Sequence, residues 1–208
     1  VGSEMVIRDR ALERVLRMLT RAKWAADYLT RHPILLDELL DGQLHEPVDY
    51  AGWAAQVDGQ LAQARLPDGS PDVERQMDIV REAHHAQVFR LLAQDLEDQH
   101  TVEHLSDLLS ELADRVLDIT IRLLWSQSRH RFRDQPRFAA IAYGRLGSQE
   151  LGSASDLDIV FLYDDDDERA PEAYACLLYT SDAADALPCV DIGGRRTIEK
   201  KKKHHNNI

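Results

Sequence analysis

The sequence predicts an α+β protein, with a helical region over residues 1–135 followed by the start of a mixed α/β core over residues 136–175. Two observations predict this class. Apolar residues recur at helical spacing from about Arg8 to Arg131, as they do in amphipathic helices. After Pro136 this period is lost, and two short apolar runs bounded by turn residues indicate strands.

The first helices are predicted within about residues 8–40, where apolar side chains fall on common sides. Pro33 suits the first turn of a new helix, and Gly42 suits its end. A further helix is predicted over about residues 49–65, because a Leu-Pro-Asp-Gly-Ser-Pro turn follows at residues 66–71.

Two long helices follow, over about Asp72 to Asp98 and about Thr101 to Arg131. Both have apolar residues at three- and four-residue spacing, and Thr101 is a suitable first cap. Since only a short polar connection separates them, we expect an antiparallel pair.

The α/β part begins with a short buried strand predicted over residues 138–143. Residues 144–155 indicate a turn and a short helix, and residues 157–163 a second strand. The four aspartates of residues 164–167 are expected to form a solvated acidic loop.

The segment 176–208 resembles the conceptual translation of a sequencing-library adapter, in particular the runs CLLYTSDAAD and CVDIGGRR. We therefore expect it not to be native protein, and we expect the chain, which begins with Val1, to be a truncated fragment. Cys176 and Cys189 both lie in this segment. The rest of the chain has no cysteine for a disulfide or a thiolate metal site.

The composition excludes several classes of partner. The net charge is −12, which argues against a nucleic-acid binder because such proteins need a basic face. No apolar run approaches the roughly 20 residues that cross a bilayer, and the first residues lack the apolar core of a signal peptide. We expect no nucleic-acid or membrane partner and a cytoplasmic location.

The most informative stretch is GRLGSQELGSASDLDIVFLY, residues 144–163. Alternate residues of a strand point to one face, so Asp156 and Asp158 are expected on the same side, roughly 6.5 to 7 Å apart. Two carboxylates at this spacing suit Mg²⁺ that also binds substrate phosphates. The bend at Gly147 and Ser148 can bring backbone N–H groups against a phosphate, whereas Ser155 is expected only to hydrogen-bond the loop. The pattern predicts metal-assisted phosphoryl or nucleotidyl transfer.

This motif closely resembles the nucleotidyltransferase core of the glutamine synthetase adenylyltransferase (glutamate–ammonia-ligase adenylyltransferase) family. The upstream run HPILLDELLD, residues 32–41, looks like the helical segment ahead of such a core. The resemblance implies a helical part followed by the truncated start of a nucleotidyltransferase mixed α/β core. It also implies transfer of AMP from ATP to a tyrosine of glutamine synthetase, in the control of nitrogen assimilation.

By the same resemblance, Asp156 and Asp158 are the catalytic pair that binds Mg²⁺, and Gly147 and Ser148 hold the triphosphate of ATP. Glutamine synthetase is the implied partner, with a nitrogen-signalling regulatory protein as a further candidate. The superfamily's third carboxylate would lie past Ala175, so we expect this chain alone to be nearly inactive.

Two alternatives remain open. The family's enzymes carry a second core that removes AMP by phosphorolysis, although the HPILLDELLD run looks more like the approach to the adenylylating core. The other alternative is a non-catalytic helical module that only docks glutamine synthetase, which would leave the acidic pair unexplained. A phosphatase of the haloacid-dehalogenase type fits less well, because there the apolar strand precedes the acidic pair.

Overall fold

The computed structural model describes residues 16, 20, 29, 30, 46–152, 155, 157–183 and 198–200. Residues 16, 20, 29 and 30 are helical. The rest of the helices predicted within residues 8–40, including the HPILLDELLD run, lie outside the described residues. None of the described helices is both long enough and apolar enough to cross a membrane.

Helix α1 spans Tyr50–Gln63 and confirms the helix predicted over about residues 49–65. The side chain of Asp49 caps it by accepting a hydrogen bond from the Gly52 N–H at 3.0 Å, which satisfies a free donor of the first turn. After the helix, the chain turns through Gly69, whose φ of +83° suits glycine.

Helices α2 (Val73–Leu96) and α3 (Val102–Gln127) are the two predicted long helices. Thr101 caps α3 as predicted, its hydroxyl accepting from the His104 N–H at 3.2 Å. The pair is antiparallel, because the side chain of Gln127 at the end of α3 donates to that of Gln76 near the start of α2. Both the helices and their predicted packing are confirmed.

The α/β part comprises strand β1 (Phe138–Tyr143), the one-turn helix α4 (Gly144–Gly147), strand β2 (Asp158–Tyr163), helix α5 (Ala170–Ala183) and strand β3 (Ile198–Lys200). The sheet order is β1-β2-β3. β1 pairs with β2 antiparallel and β2 pairs with β3 parallel. The α+β class is therefore confirmed. β3 lies in the adapter-like segment, whose assignment stays a prediction.

The β1–β2 pair has one covered and one open face. Ile159, Phe161 and Tyr163 of β2 are buried in the apolar core. On the opposite face, Ile141 is 39% exposed and Tyr143 is 55% exposed. The prediction that β1 is buried is therefore wrong, because no element in the described part of the chain covers this face of the sheet.

The core consists of two adjoining apolar clusters. The larger one joins α1, α2 and α3 to the sheet. The smaller one surrounds Tyr174 of α5, whose ring stacks on that of Trp125 with centroids 5.4 Å apart. These contacts place α5 against the end of α3 and fix the sheet over the helices.

One aspartate of the predicted solvated loop is buried, so that prediction is wrong at this position. Asp165 is only 2% exposed. Its Oδ1 accepts from Arg133 Nη2 at 2.8 Å, and its Oδ2 accepts from the Tyr174 hydroxyl at 2.9 Å. The charge is tolerated in the interior because a guanidinium and a hydroxyl satisfy it.

Candidate functional site

Asp158 is the first residue of β2 and lies opposite Tyr143, the last residue of β1. Its side chain is exposed, while the next residue, Ile159, points into the core. Strand alternation explains this arrangement, because neighbouring side chains leave the sheet on opposite faces. The apolar residues of β2 thereby hold a carboxylate at the open end of the strand.

Gly144 makes room for this carboxylate. A Cβ built on Gly144 would lie 2.5 Å from Asp158 Oδ2, closer than atoms can approach. Gly144 also has a φ of +55°, in the left-handed region that residues with a side chain rarely adopt. The start of α4 and the Asp158 carboxylate are therefore in direct contact.

Gly147 and Ser148, the predicted phosphate-binding bend, lie at the end of α4. A Cβ on Gly147 would lie 2.7 Å from the carbonyl oxygen of Ala142, so this glycine allows α4 to pack on the backbone of β1. The Ser148 N–H donates to the Gly144 carbonyl at 3.0 Å. The Ser148 Oγ lies 3.2 Å from Glu150 Oε2.

The backbone N–H groups of this bend form hydrogen bonds within the turn itself. The N–H groups of residues 148, 149 and 150 donate to the carbonyls of residues 144, 146 and 145, respectively. In this conformation they are engaged in the turn. The contact of Gly147 and Ser148 with a triphosphate stays a prediction.

A polar contact ties α4 to the loop before β2. Arg145 Nη1 donates to Ser155 Oγ at 3.0 Å. The Gly152 N–H donates to the same oxygen at 2.9 Å. The prediction that Ser155 hydrogen-bonds the loop is confirmed.

Asp156 lies outside the described residues, so the predicted same-side arrangement of Asp156 and Asp158 is not tested. Its two neighbours are described. Leu157 is buried in the larger core cluster, and Ser155 accepts the two hydrogen bonds given above.

The donor chemistry at Asp158 fits Mg²⁺. No three His, Cys, Asp or Glu side chains converge on a metal-sized site within the described residues. Such a cluster is not required, because Mg²⁺ in nucleotide sites is bound through one or two carboxylates, water and substrate phosphates. The exposed carboxylate of Asp158 can supply one of these ligands.

Sequence reasoning missed Gly144 and Arg145 as residues of the site. A glycine directly after an apolar strand, followed three residues later by another glycine, was a visible signal for a close approach of backbone. Arg145 carried no such signal, since an exposed arginine is common. The described part of the predicted nucleotidyltransferase-type site is therefore a strand opened by a carboxylate with a glycine-bounded turn beside it, and its role in binding nucleotide stays a prediction.

The comparisons with known proteins agree with this class. The family described as glutamate-ammonia ligase adenylyltransferase matches residues 12–177. The chain is 56% identical over 167 residues to a bifunctional glutamine synthetase adenylyltransferase/adenylyl-removing enzyme of Ralstonia nicotianae. Relatives with the same name from Bordetella bronchiseptica and Nitrosomonas europaea are 54% and 48% identical. The chain belongs to the glutamate–ammonia ligase adenylyltransferase family.

These matches cover most of the chain but a small part of the relatives. The matched region covers 80% of this chain for the Ralstonia and Bordetella proteins and 81% for the Nitrosomonas protein. The chain spans only 17% of the length of the first relative and 18% of the other two.

Proposed function

We propose that this chain is part of an adenylyltransferase that moves AMP from ATP to a tyrosine of glutamine synthetase. The observation that carries the proposal is the exposed Asp158 carboxylate at the start of β2, in contact with the glycine that opens α4. The names of the matched relatives supply the nucleotide chemistry and the protein substrate.

In this mechanism Asp158, together with Asp156, would hold Mg²⁺. A bound Mg²⁺ neutralises charge on the phosphate oxygens. Gly147 and Ser148 would contact the triphosphate of ATP. The tyrosine hydroxyl would lose its proton to solvent as its oxygen forms a bond to the α-phosphorus and the bond to the leaving pyrophosphate breaks.

The chain's own contribution is a carboxylate that is fixed before the substrates arrive. Asp158 begins a strand whose next residues are anchored in the core, and its backbone is paired with Tyr143 of β1. Groups held in place in this way lose little freedom when the reactants bind, and this lowers the barrier to reaction.

The proposal extends to partners and location. Glutamine synthetase would be the protein substrate, and a nitrogen-signalling regulatory protein would adjust the reaction. Both are proposed for the cytoplasm, where ATP and a metabolic enzyme are available together.

Binding of ATP gives the first test. The chain should bind a non-hydrolysable ATP analogue in calorimetry, and Mg²⁺ should strengthen that binding. Asp158→Asn, which keeps the shape but removes the charge, should weaken the Mg²⁺-dependent binding by about 10- to 100-fold. Asp118→Asn removes another exposed negative charge, from α3, and should bind normally. Unchanged binding by Asp158→Asn would refute the metal role.

A chimera tests the direction of the reaction. The matching segment of the Ralstonia relative is exchanged for residues 12–177 of this chain, and radiolabelled AMP transfer to glutamine synthetase is measured beside phosphorolytic removal. Transfer should be retained, and Asp158→Asn in the chimera should lower it at least about 100-fold. If the substitution abolished removal and spared transfer, the segment would serve the opposite reaction.

A further inference from the structure

Two contacts join the same two segments beside the candidate site. Gly144 lies against the Asp158 carboxylate, and Arg145, the next residue, donates through Nη1 to Ser155 Oγ at 3.0 Å. One segment is the start of α4, and the other is the chain that leads into β2. The hydrogen bond between Arg145 and Ser155 is therefore a tether between α4 and the segment that precedes Asp158.

Ser155 is well suited to receive this tether. Its oxygen accepts from Arg145 and from the Gly152 N–H, which uses both lone pairs of a hydroxyl group. The segment is further anchored by Leu151 and Leu157, which are both buried in the larger core cluster. The polar tether is thus made at a residue that lies, in the sequence, between these two apolar anchors.

The arginine is also held at its own backbone. Its carbonyl oxygen accepts from the Glu150 N–H at 2.8 Å, so the residue is fixed within the turn that closes α4. A guanidinium has five N–H donors in a planar arrangement. Because the backbone of Arg145 is held within the turn, its guanidinium can hold Ser155 in a defined direction.

On the basis of the proposed function, we propose that Arg145 is a positioning residue that acts through Ser155 to set the Asp158 carboxylate for divalent-cation binding. It holds the segment that leads into β2 against α4. Loss of the tether should loosen the carboxylate without removing it. We expect the effect in the Mg²⁺ dependence of nucleotide binding, because the binding of metal-free nucleotide does not involve the carboxylate.

A double-mutant cycle tests this role in the full chain. The measured quantity is the Mg²⁺ concentration that gives half-maximal binding of the ATP analogue, compared with binding in the presence of a chelator. Arg145→Gln should raise that concentration by about 3- to 10-fold, the value of one net hydrogen bond. Ser155→Ala, which also removes the hydrogen bond from the Gly152 N–H, should raise it by at least as much. The double variant should show no larger effect than the stronger single variant, because each single variant already lacks the hydrogen bond between Arg145 and Ser155.

Control variants separate positioning from charge and from folding. Arg115→Gln removes another exposed positive charge, from α3, where Arg115 pairs with Glu111, and should leave the Mg²⁺ dependence unchanged. Ser155→Thr keeps the hydroxyl and should retain most of the binding. Thermal unfolding of each variant checks that the fold is intact.

The outcomes distinguish this role from its alternatives. Additive effects of the two substitutions, or weaker chelator-resistant binding in Arg145→Gln, would mean that the arginine contacts the nucleotide directly and would overturn the role. Unchanged Mg²⁺ dependence in both variants, with normal behaviour of the unaltered chain and of Asp158→Asn, would overturn it while the proposed function stands. Absence of Mg²⁺-dependent binding by the unaltered chain would refute the proposed function, and the positioning role with it.

Discussion

Replacing Gly144 with alanine should disturb the site more than the fold. The new Cβ would lie 2.5 Å from Asp158 Oδ2, and the three nearest atoms that it meets all belong to the Asp158 side chain. A carboxylate can rotate away from a methyl group at small cost. Gly144→Ala should therefore displace the carboxylate from its position beside α4.

The size of each effect follows from the local structure. The φ of +55° at Gly144 costs an alanine about 1–2 kcal/mol in the left-handed region. The displaced carboxylate should weaken Mg²⁺-dependent ATP-analogue binding by about 10- to 100-fold, the range for disturbed support of a metal ligand. We expect the variant to fold, with a modest loss of stability and a large loss of binding.

Two other glycines supply matched comparisons. At Gly147 a Cβ would meet the backbone oxygen of Ala142 at 2.7 Å, which cannot rotate away, so Gly147→Ala should cost about 1–3 kcal/mol through overpacking. Gly59 lies in α1 with open space around it, and Gly59→Ala should stabilise the chain by about 0.5–1 kcal/mol.

Urea unfolding and calorimetry of the three variants provide the assay. For Gly144→Ala we expect the loss in free energy of binding to exceed the loss in free energy of unfolding. For Gly147→Ala we expect the direct effect to be a loss in free energy of unfolding. If Gly144→Ala bound the nucleotide and Mg²⁺ normally, the contact between glycine and carboxylate would have no role in the site. A gain in stability at Gly144 would contradict the backbone strain.

Two further predictions concern buried ionisable side chains. Asp165→Asn leaves Arg133 without its charged partner. Because the Arg133 side chain is 28% exposed, urea unfolding should show a loss of about 2–3 kcal/mol in the free energy of unfolding, below the full range for a buried pair. A loss under about 1 kcal/mol would contradict a stabilising role of the contacts between Asp165, Arg133 and Tyr174. Burial, with a contribution from His85, lowers the pKa of His84 from 6.5 to about 3, so the neutral form is favoured in the folded state. Stability should therefore fall by about 2 kcal/mol as the pH is lowered from about 8 to about 5, where the unfolded histidine takes up a proton. His84→Gln should remove this part of the pH dependence, and an identical pH profile for the variant would refute it.

The features that sequence reasoning predicted correctly are governed by local interactions. Asp49, Asp72 and Thr101 each cap the helix that follows them, and a cap depends only on a side chain and the next few N–H groups. The apolar spacing of the helices and the apolar run of β2 are local as well. These signals were sufficient for the α+β class and for most helix ends to within a few residues.

The features that it missed depend on contacts between distant residues. Four consecutive aspartates resemble a solvated loop, and nothing near Asp165 in the sequence reveals that Arg133 and Tyr174 will enclose it. The exposure of one face of β1 was missed for the same reason. The apolar residues Ile141 and Tyr143 predict burial, but burial requires a covering element that the described part of the chain does not supply.

The two glycines of α4 show why the site could be predicted only in part. The motif identified the residue types for nucleotide chemistry and assigned Gly147 to the phosphate. In the structure, Gly147 faces the Ala142 carbonyl, whereas Gly144 faces the Asp158 carboxylate. At both positions a side chain would meet a steric obstacle, which is backbone in one case and the carboxylate of the proposed site in the other. Spacing alone cannot distinguish these causes, because both produce the same residue. The distinction is a three-dimensional one, and it makes substitution at Gly144 the more specific probe of the carboxylate.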